Sequence, residues 1–275
     1  MKKMITILFF FLFSGLNLVL HSAPQFSPEE LAQRPFWEDF LRTAKILRGE
    51  NIGEGVTKPK RLFLKKGEME ATAVWKSPTG TDARLFDKWQ CEIAAYRLDK
   101  LLGVNMVPPT VERRYRMYSG SLQLWVDLPM SERKMVNEKI SVPAEKADHY
   151  EKMRDLQRAF DSLIANSDRS LQNLCYTPEW RMLLIDHSRA FRDSYPYLNR
   201  LIYGKNGLLT TAGFSRLPRK FVENLRALNL AMISKAIESY LTGYEIEAIL
   251  VRQKLLLKEI DETIKERGEA AVLYD

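Results

Sequence analysis

Residues 160–191 read FDSLIANSDRSLQNLCYTPEWRMLLIDHSRAF, a segment in which polar residues stand at the ends of well-patterned apolar runs. Leu156, Ala159, Phe160, Leu163 and Ile164 recur at helical spacing, which predicts a helix ending near Ala165. NLCY and RMLLI are short apolar runs separated by TPEW, where Pro178 suits a turn, so they read as a hairpin. Centred between Glu179 and Trp180, that hairpin sets Leu174 opposite Ile185 and Tyr176 opposite Leu183. It also brings Asn173 and Asp186 side by side at its open end, next to the loop that carries Asp168. A carboxylate and an amide oxygen converging on one point are hard-oxygen ligands suited to Mg²⁺ or Mn²⁺. Taken singly, Asp168 and Asn173 are turn formers and Asp186 is a strand-end cap.

Upstream, Ser27 is an N-cap and Pro28 a first helical residue, and the pattern predicts a helix from there through about Leu47. Gly49, Gly53 and Gly55 break it, and strands follow over 61–65 and 71–76 around a turn at Gly67. In DKWQCEIAAYRLDKLLG the stripe Cys91, Ala94, Ala95, Leu98, Leu101 and Leu102 makes a helix that Gly103 ends. VPPTVERRYRMYSGSLQLWVD gives two strands around a turn at Ser119-Gly120. Beyond Val142 the pattern is mostly helical, with helices around 218–229, 231–240 and 244–266. There is no repeat and no low-complexity linker. A strand-rich first half and a helix-rich second half predict an α+β chain in two lobes, 24–126 and 127–275, crossing near Val126.

The order Asp168, Asn173, then a hairpin ending in Asp186, resembles the catalytic loop and metal-binding aspartate of the protein-kinase-like superfamily. Lys76 ends the strand ATAVWK and Glu92 lies in the next helix, as in the lysine–glutamate ion pair of such kinases. Gly49, Gly53 and Gly55 stand one strand earlier, where a phosphate-covering loop belongs. EIAAYRLDKLLGVNMVPP and FDSLIANSDR are similar to the secreted kinases of the Golgi casein-kinase and four-jointed type and their bacterial relatives. DRSLQN followed by LLIDHSRAF is also similar to phosphatidylinositol kinases and HipA-like kinases. The resemblance runs over 49–191 and, loosely, the helical tail. It implies a bilobal protein-kinase-like fold with a strand-rich N-lobe and a helical C-lobe. It further implies ATP as phosphoryl donor, Mg²⁺ or Mn²⁺ on Asn173 and Asp186, Lys76 held by Glu92 on the phosphates, and Asp168 as acceptor of the hydroxyl proton. Gly53 and Gly55 would cover the phosphates. The segment 123–126, with Trp125 and Val126, would be the hinge that meets adenine. Arg169 reads as a structural salt bridge. Two positions depart from the pattern: Ser170 replaces the histidine of Asp-Arg-His, and Asp186-His187-Ser188 replaces Asp-Phe-Gly. Both leave the phosphate-facing groups intact.

The chain has 275 residues, 45% hydrophobic and 28% charged, an ordinary globular composition. Its start, MKKMITILFFFLFSGLNLVLHSAPQ, has two lysines, an uncharged run from Met4 to Leu20 and small residues Ser22 and Ala23. That is the layout of a secretory signal peptide over 1–23, with an uncleaved anchor as the alternative because His21 suits the cut poorly. No stable membrane span is expected after cleavage, and the protein is expected to be exported, periplasmic or secreted. Removing Lys2 and Lys3 with that segment lowers the net charge from +7 by two, to +5. The basic residues are interspersed with acids, so no nucleic-acid partner is expected. Cys91 and Cys175 could pair in an oxidising compartment or stay as buried thiols. His21, His149 and His187 show no metal-ligand spacing. The expected function is an exported ATP-dependent kinase acting on a protein hydroxyl. Rival readings are a kinase-like binding protein without turnover, a lipid or small-molecule kinase, and an enzyme transferring AMP. ATP is expected to be scarce outside the cytoplasm, and the sequence offers no resolution of that conflict.

Overall fold

The computed structural model describes residues 26–53, 58–79, 86–127, 130–211 and 213–275. Ser27 caps α1 (Pro28–Ala32) through a capping box with Glu30. Pro35 sits in the first turn of α2 (Arg34–Thr43), where its missing N–H costs nothing, and the predicted single helix is thereby split at Gln33. The expected helix through Leu47 is corrected as well. Residues Lys45–Asn51 form β1, which pairs antiparallel with β2 (Lys60–Lys66) across a bulge between Ile46 and Arg48. The sheet edge that β2 offers overrides a local pattern that reads as helix.

β3 (Met69–Lys76) follows, then α3 (Trp89–Leu102), which Gly103 ends. β4 (Thr110–Tyr115) and β5 (Tyr118–Leu124) complete an antiparallel sheet of order β1-β2-β3-β5-β4. Their turn lies at Arg116-Met117, not at Ser119-Gly120, with Arg116 in the left-handed region. One face of this sheet, with Leu62, Leu64, Ala73, Trp75, Val111 and Leu122, packs on Phe40 and Leu41 of α2 as its own core. Arg34 at the start of α2 ties that layer to α3, reaching Asp99 at 3.1 Å.

The helical half begins with β6 (Met130–Ser131) and α4 (Glu132–Glu138), then α5 (Ala147–Leu163). β7 (Leu174–Tyr176) pairs with β8 (Met182–Leu184). α6 (Tyr195–Asn199), β9 (Leu217–Pro218), α7 (Arg219–Ala227) and α8 (Leu230–Ile237) follow. α9 (Gly243–Arg267), α10 (Glu269–Val272) and β10 (Leu273–Tyr274) close the chain. The larger core gathers Leu156, Phe160 and Leu163 of α5 with Ile249 and Leu256 of α9. It also takes in Cys91, Ala94, Ala95 and Leu98 of α3, so α3 joins the sheet to the helices. Cys91 and Cys175 are both buried free thiols.

Candidate active site

Residues directly opposite in a ladder share a face, and so do alternate residues along a strand. Lys76 pairs with Ser121, and Val74 with Gln123 and Arg61, so these five side chains line the sheet face turned away from α2. That face roofs a cleft whose floor is the 160–191 segment.

Lys76 Nζ lies 2.7 Å from Glu92 Oε1 and 2.7 Å from Asp186 Oδ1. The expected Lys76–Glu92 pair is present, and the structure adds Asp186 to it. Burial works against the Lys76 charge, but the two carboxylates outweigh it and hold its pKa above the ordinary lysine value. Burial likewise opposes the Glu92 carboxylate. Lys76 and the groups of His187 outweigh it and keep Glu92 well below the usual carboxylate range. Glu92 Oε2 accepts the backbone N–H of His187 at 3.0 Å, which ties α3 to the Asp186 loop. The His187 ring is wholly buried with neither nitrogen hydrogen-bonded, and burial with Arg169 nearby lowers its pKa. A neutral ring therefore fills the position after Asp186.

The β7–β8 register is one residue off the expectation. Leu174 faces Leu184 and Tyr176 faces Met182. The loop closes through Thr177 N–H to Arg181 O at 3.0 Å, with Trp180 at φ +65°, which shifts the turn centre toward Glu179. Asn173 is consequently opposite Ile185, whose N–H it accepts at 3.3 Å, and Asp186 stands one residue beyond. Asp186 has φ +62°, a left-handed conformation costly for a residue with a Cβ. Lys76 Nζ, 2.7 Å from Asp186 Oδ1, holds it there.

Arg169 takes the structural role expected of it. It is bidentate to the buried Asp161, with both nitrogens at 2.9 Å, and its Nη1 donates to Asn173 O at 3.2 Å and Ile185 O at 2.6 Å. The guanidinium thus fixes the ends of both strands from which Asn173 and Asp186 project. Asp168 is exposed on the adjoining loop, and its Oδ2 lies 3.1 Å from Arg189 Nη1. Arg189 Nε also reaches Asp87 Oδ2 at 3.1 Å, and Asp87 Oδ1 accepts the Ser188 hydroxyl at 2.5 Å. Behind the loop, buried Arg252 donates to Leu163 O and Arg192 O, both at 2.7 Å, and so ties the segment before Asp168 to the one after Asp186.

Asp87, Arg189, Arg252 and the roof residues Val74 and Arg61 were given no role from sequence, and Ser188 was noted only as part of Asp186-His187-Ser188. Val74, two residues before Lys76 in a strand, was the one with a readable signal. Gly53 lies in the β1–β2 loop at φ +81°, the expected position for a covering loop, while Gly55 lies outside the described residues. Trp125 and Val126 directly follow β5. The Trp125 amide is already used, donating to Thr72 O at 3.0 Å, and its ring is covered by the Arg61 guanidinium at 4.3 Å. Together with Leu124, Ala71, Trp37 and Phe26 they line a cavity of about 510 Å³ between the β5 exit and α2.

Among the described residues, no three His, Cys, Asp or Glu side chains converge as a metal cage. The donor set nevertheless fits a hard cation that keeps other oxygen ligands. Among the described residues the Asn173 side chain makes no hydrogen bond and one Asp186 carboxylate oxygen has no partner, which suits Mg²⁺ shared with phosphates.

No protein-family model matches the chain, and no curated protein matches it. Solved structures do. A hydra Fam20 structure with sugar aligns at TM-score 0.60 and 17% identity, over 86% of this chain and 90% of that one. A Golgi casein kinase structure with manganese and ADP bound aligns at TM-score 0.60 and 16% identity, over 88% and 78% of the two chains. The chain has the bilobal protein-kinase-like fold that these structures share.

Proposed function

We propose that the cleft transfers the γ-phosphoryl group of a metal-bound nucleoside triphosphate, ATP by the resemblance, to a hydroxyl acceptor. The observation that carries this reading is Lys76, set 2.7 Å from both Glu92 and Asp186 beneath the sheet. That arrangement holds a fixed cation where donor phosphates would lie. Asn173 and Asp186 would hold Mg²⁺ or Mn²⁺, which when bound neutralises phosphate charge. Lys76 orients the α- and β-phosphates. The acceptor oxygen forms its bond to Pγ as the bond from Pγ to the bridging oxygen breaks, and the nucleoside diphosphate leaves. Asp168 orients the acceptor hydroxyl and takes its proton. The manganese and ADP in the Golgi casein kinase neighbour support this use of metal and nucleotide.

A protein hydroxyl is the acceptor the sequence resemblance favours. The sugar in the hydra structure favours a second reading, a small-molecule hydroxyl. Cleavage at residues 1–23 falls outside the described residues, and an intact Met1 in protein from the native cell would contradict it and favour the uncleaved anchor. Among the described residues no helix is long and apolar enough to cross a membrane. The test is transfer of labelled γ-phosphate by residues 24–275, with Mn²⁺ or Mg²⁺, to the protein itself, to generic proteins and to simple sugars. Label on a protein supports the first acceptor and label on a sugar the second. Nucleotide binding without transfer to anything marks a binding protein.

A further inference from the structure

Phosphoryl transfer concentrates negative charge on the moving group, and a cation at that group lowers the barrier. Three cations of the described residues stand close to the reacting positions. Lys76 is committed to Glu92 and Asp186. The Arg169 side chain is only 1% exposed and spends its nitrogens on Asp161 and two carbonyls. Arg189 is differently placed. Its side chain is 27% exposed, and its Nη1 sits on the carboxylate of Asp168, the group that must receive the acceptor hydroxyl.

The two contacts of Arg189 are unequal. Asp87 is buried and held by the Ser188 hydroxyl, so the Nε end of the guanidinium is anchored. Asp168 is 52% exposed, and an ion pair that open to solvent is weak. Among the described residues Nη2 makes no hydrogen bond. A hydroxyl that donates to Asp168 draws on the carboxylate charge that now holds Arg189, while the phosphoryl oxygens offer a stronger bidentate partner.

We infer that Arg189 is the cation that contacts the transferred phosphoryl group, pivoting on Asp87 from its resting place on Asp168. This rests on the proposed function of the same cleft. Before transfer the guanidinium shields Asp168. During transfer it lies on the oxygens of the moving phosphorus, and afterwards it returns.

The test compares wild type, Arg189→Gln and Arg189→Lys for binding of magnesium ADP alone, for binding of magnesium ADP with aluminium fluoride, and for phosphate transfer. Aluminium fluoride stands in for the phosphoryl group in flight. For Arg189→Gln, ADP affinity should stay within about twofold of wild type. Affinity for the fluoride complex and the transfer rate should each fall by roughly 10²–10³, the range for losing one such donor. Arg189→Lys keeps the charge without the fork and should recover about tenfold of that loss. It also carries the test if the glutamine variant fails to fold. Equal fluoride-complex affinity in wild type and variants would overturn the inference. So would a parallel loss of ADP binding, which marks Arg189 as a loop prop. If wild type itself takes no metal nucleotide, the functional reading falls first and this inference with it.

Discussion

Lys76 stands between a buried carboxylate and a cleft-facing one, and the two would respond differently to its loss. Glu92 is only 3% exposed, so removing its cation leaves a buried charge unpaired. Such a loss costs about 3–5 kcal/mol. Lys76→Met should therefore lower unfolding stability by roughly that amount and abolish metal-nucleotide binding. Lys76→Met/Glu92→Gln should regain most of the stability and none of the binding, as read by urea unfolding and nucleotide titration. If the double variant is no more stable than the single one, the pair is not what holds α3 to β3. The pH dependence has a definite sign. Glu92 is depressed in the folded state by Lys76 and His187, against the opposing effect of burial. Its contribution is full above the ordinary glutamate pKa of about 4.3 and is lost as pH falls below it, because the unfolded chain takes the proton first. The stability gap between wild type and Glu92→Gln should be flat from neutral pH down to about 5 and shrink below that. Lys76, Glu92, Asp168, Asn173 and Asp186 were legible because their order and spacing survive in one dimension. Asp87, Ser188 and Arg189 were not, because their roles depend on where the loop before α3 docks: Lys88 N–H donates to Ser188 O at 2.9 Å, a contact spanning a hundred residues of chain.

At the scale of elements, the cleft depends on how closely β5 approaches β3. A Cβ placed on Gly120 would meet the Lys76 carbonyl oxygen at 2.3 Å and the Trp75 ring at 2.8 Å. Backbone cannot yield as a flexible side chain can, so Gly120→Ala must push β5 off β3 at the residue that carries the ammonium. The expected outcome is a stability loss of about 1–3 kcal/mol together with weakened nucleotide binding. A variant with wild-type affinity would show that Lys76 is not positioned by this strand pair. The elements themselves were largely readable, since α3, α5, α7, α8 and α9 carry apolar stripes with clear ends. β1 was not. Its residues continue the stripe of α2, and what makes them a strand is the free edge of β2, a partner absent from local pattern. The hairpin register slipped because Trp180 takes a left-handed conformation, which its side chain gives no reason to expect.

For the whole molecule, two cores sandwich one cleft, and α3 belongs by packing to the larger while its Glu92 serves the sheet. The central claim is that Asp186 and Asp168 divide the work, one holding metal and nucleotide, the other handling the acceptor. The two-lobed fold was legible, because a strand-rich half is followed by a helix-rich one, while the roles of the two aspartates rest on the resemblance. The acceptor was not, because the exposed surface around Asp168 carries no pattern in the sequence. The most direct measurement is nucleotide affinity with and without Mg²⁺ or Mn²⁺, alongside phosphate transfer, for Asp186→Asn and Asp168→Asn. Asparagine is nearly isosteric, so both variants should fold. Asp186→Asn should lose metal-dependent nucleotide affinity and transfer together. Asp168→Asn should bind metal nucleotide like wild type while transfer falls by roughly 10²–10⁴, the range for lost proton-transfer help. If both variants bind as wild type does and neither changes transfer, the two aspartates are turn formers and the cleft performs no such chemistry.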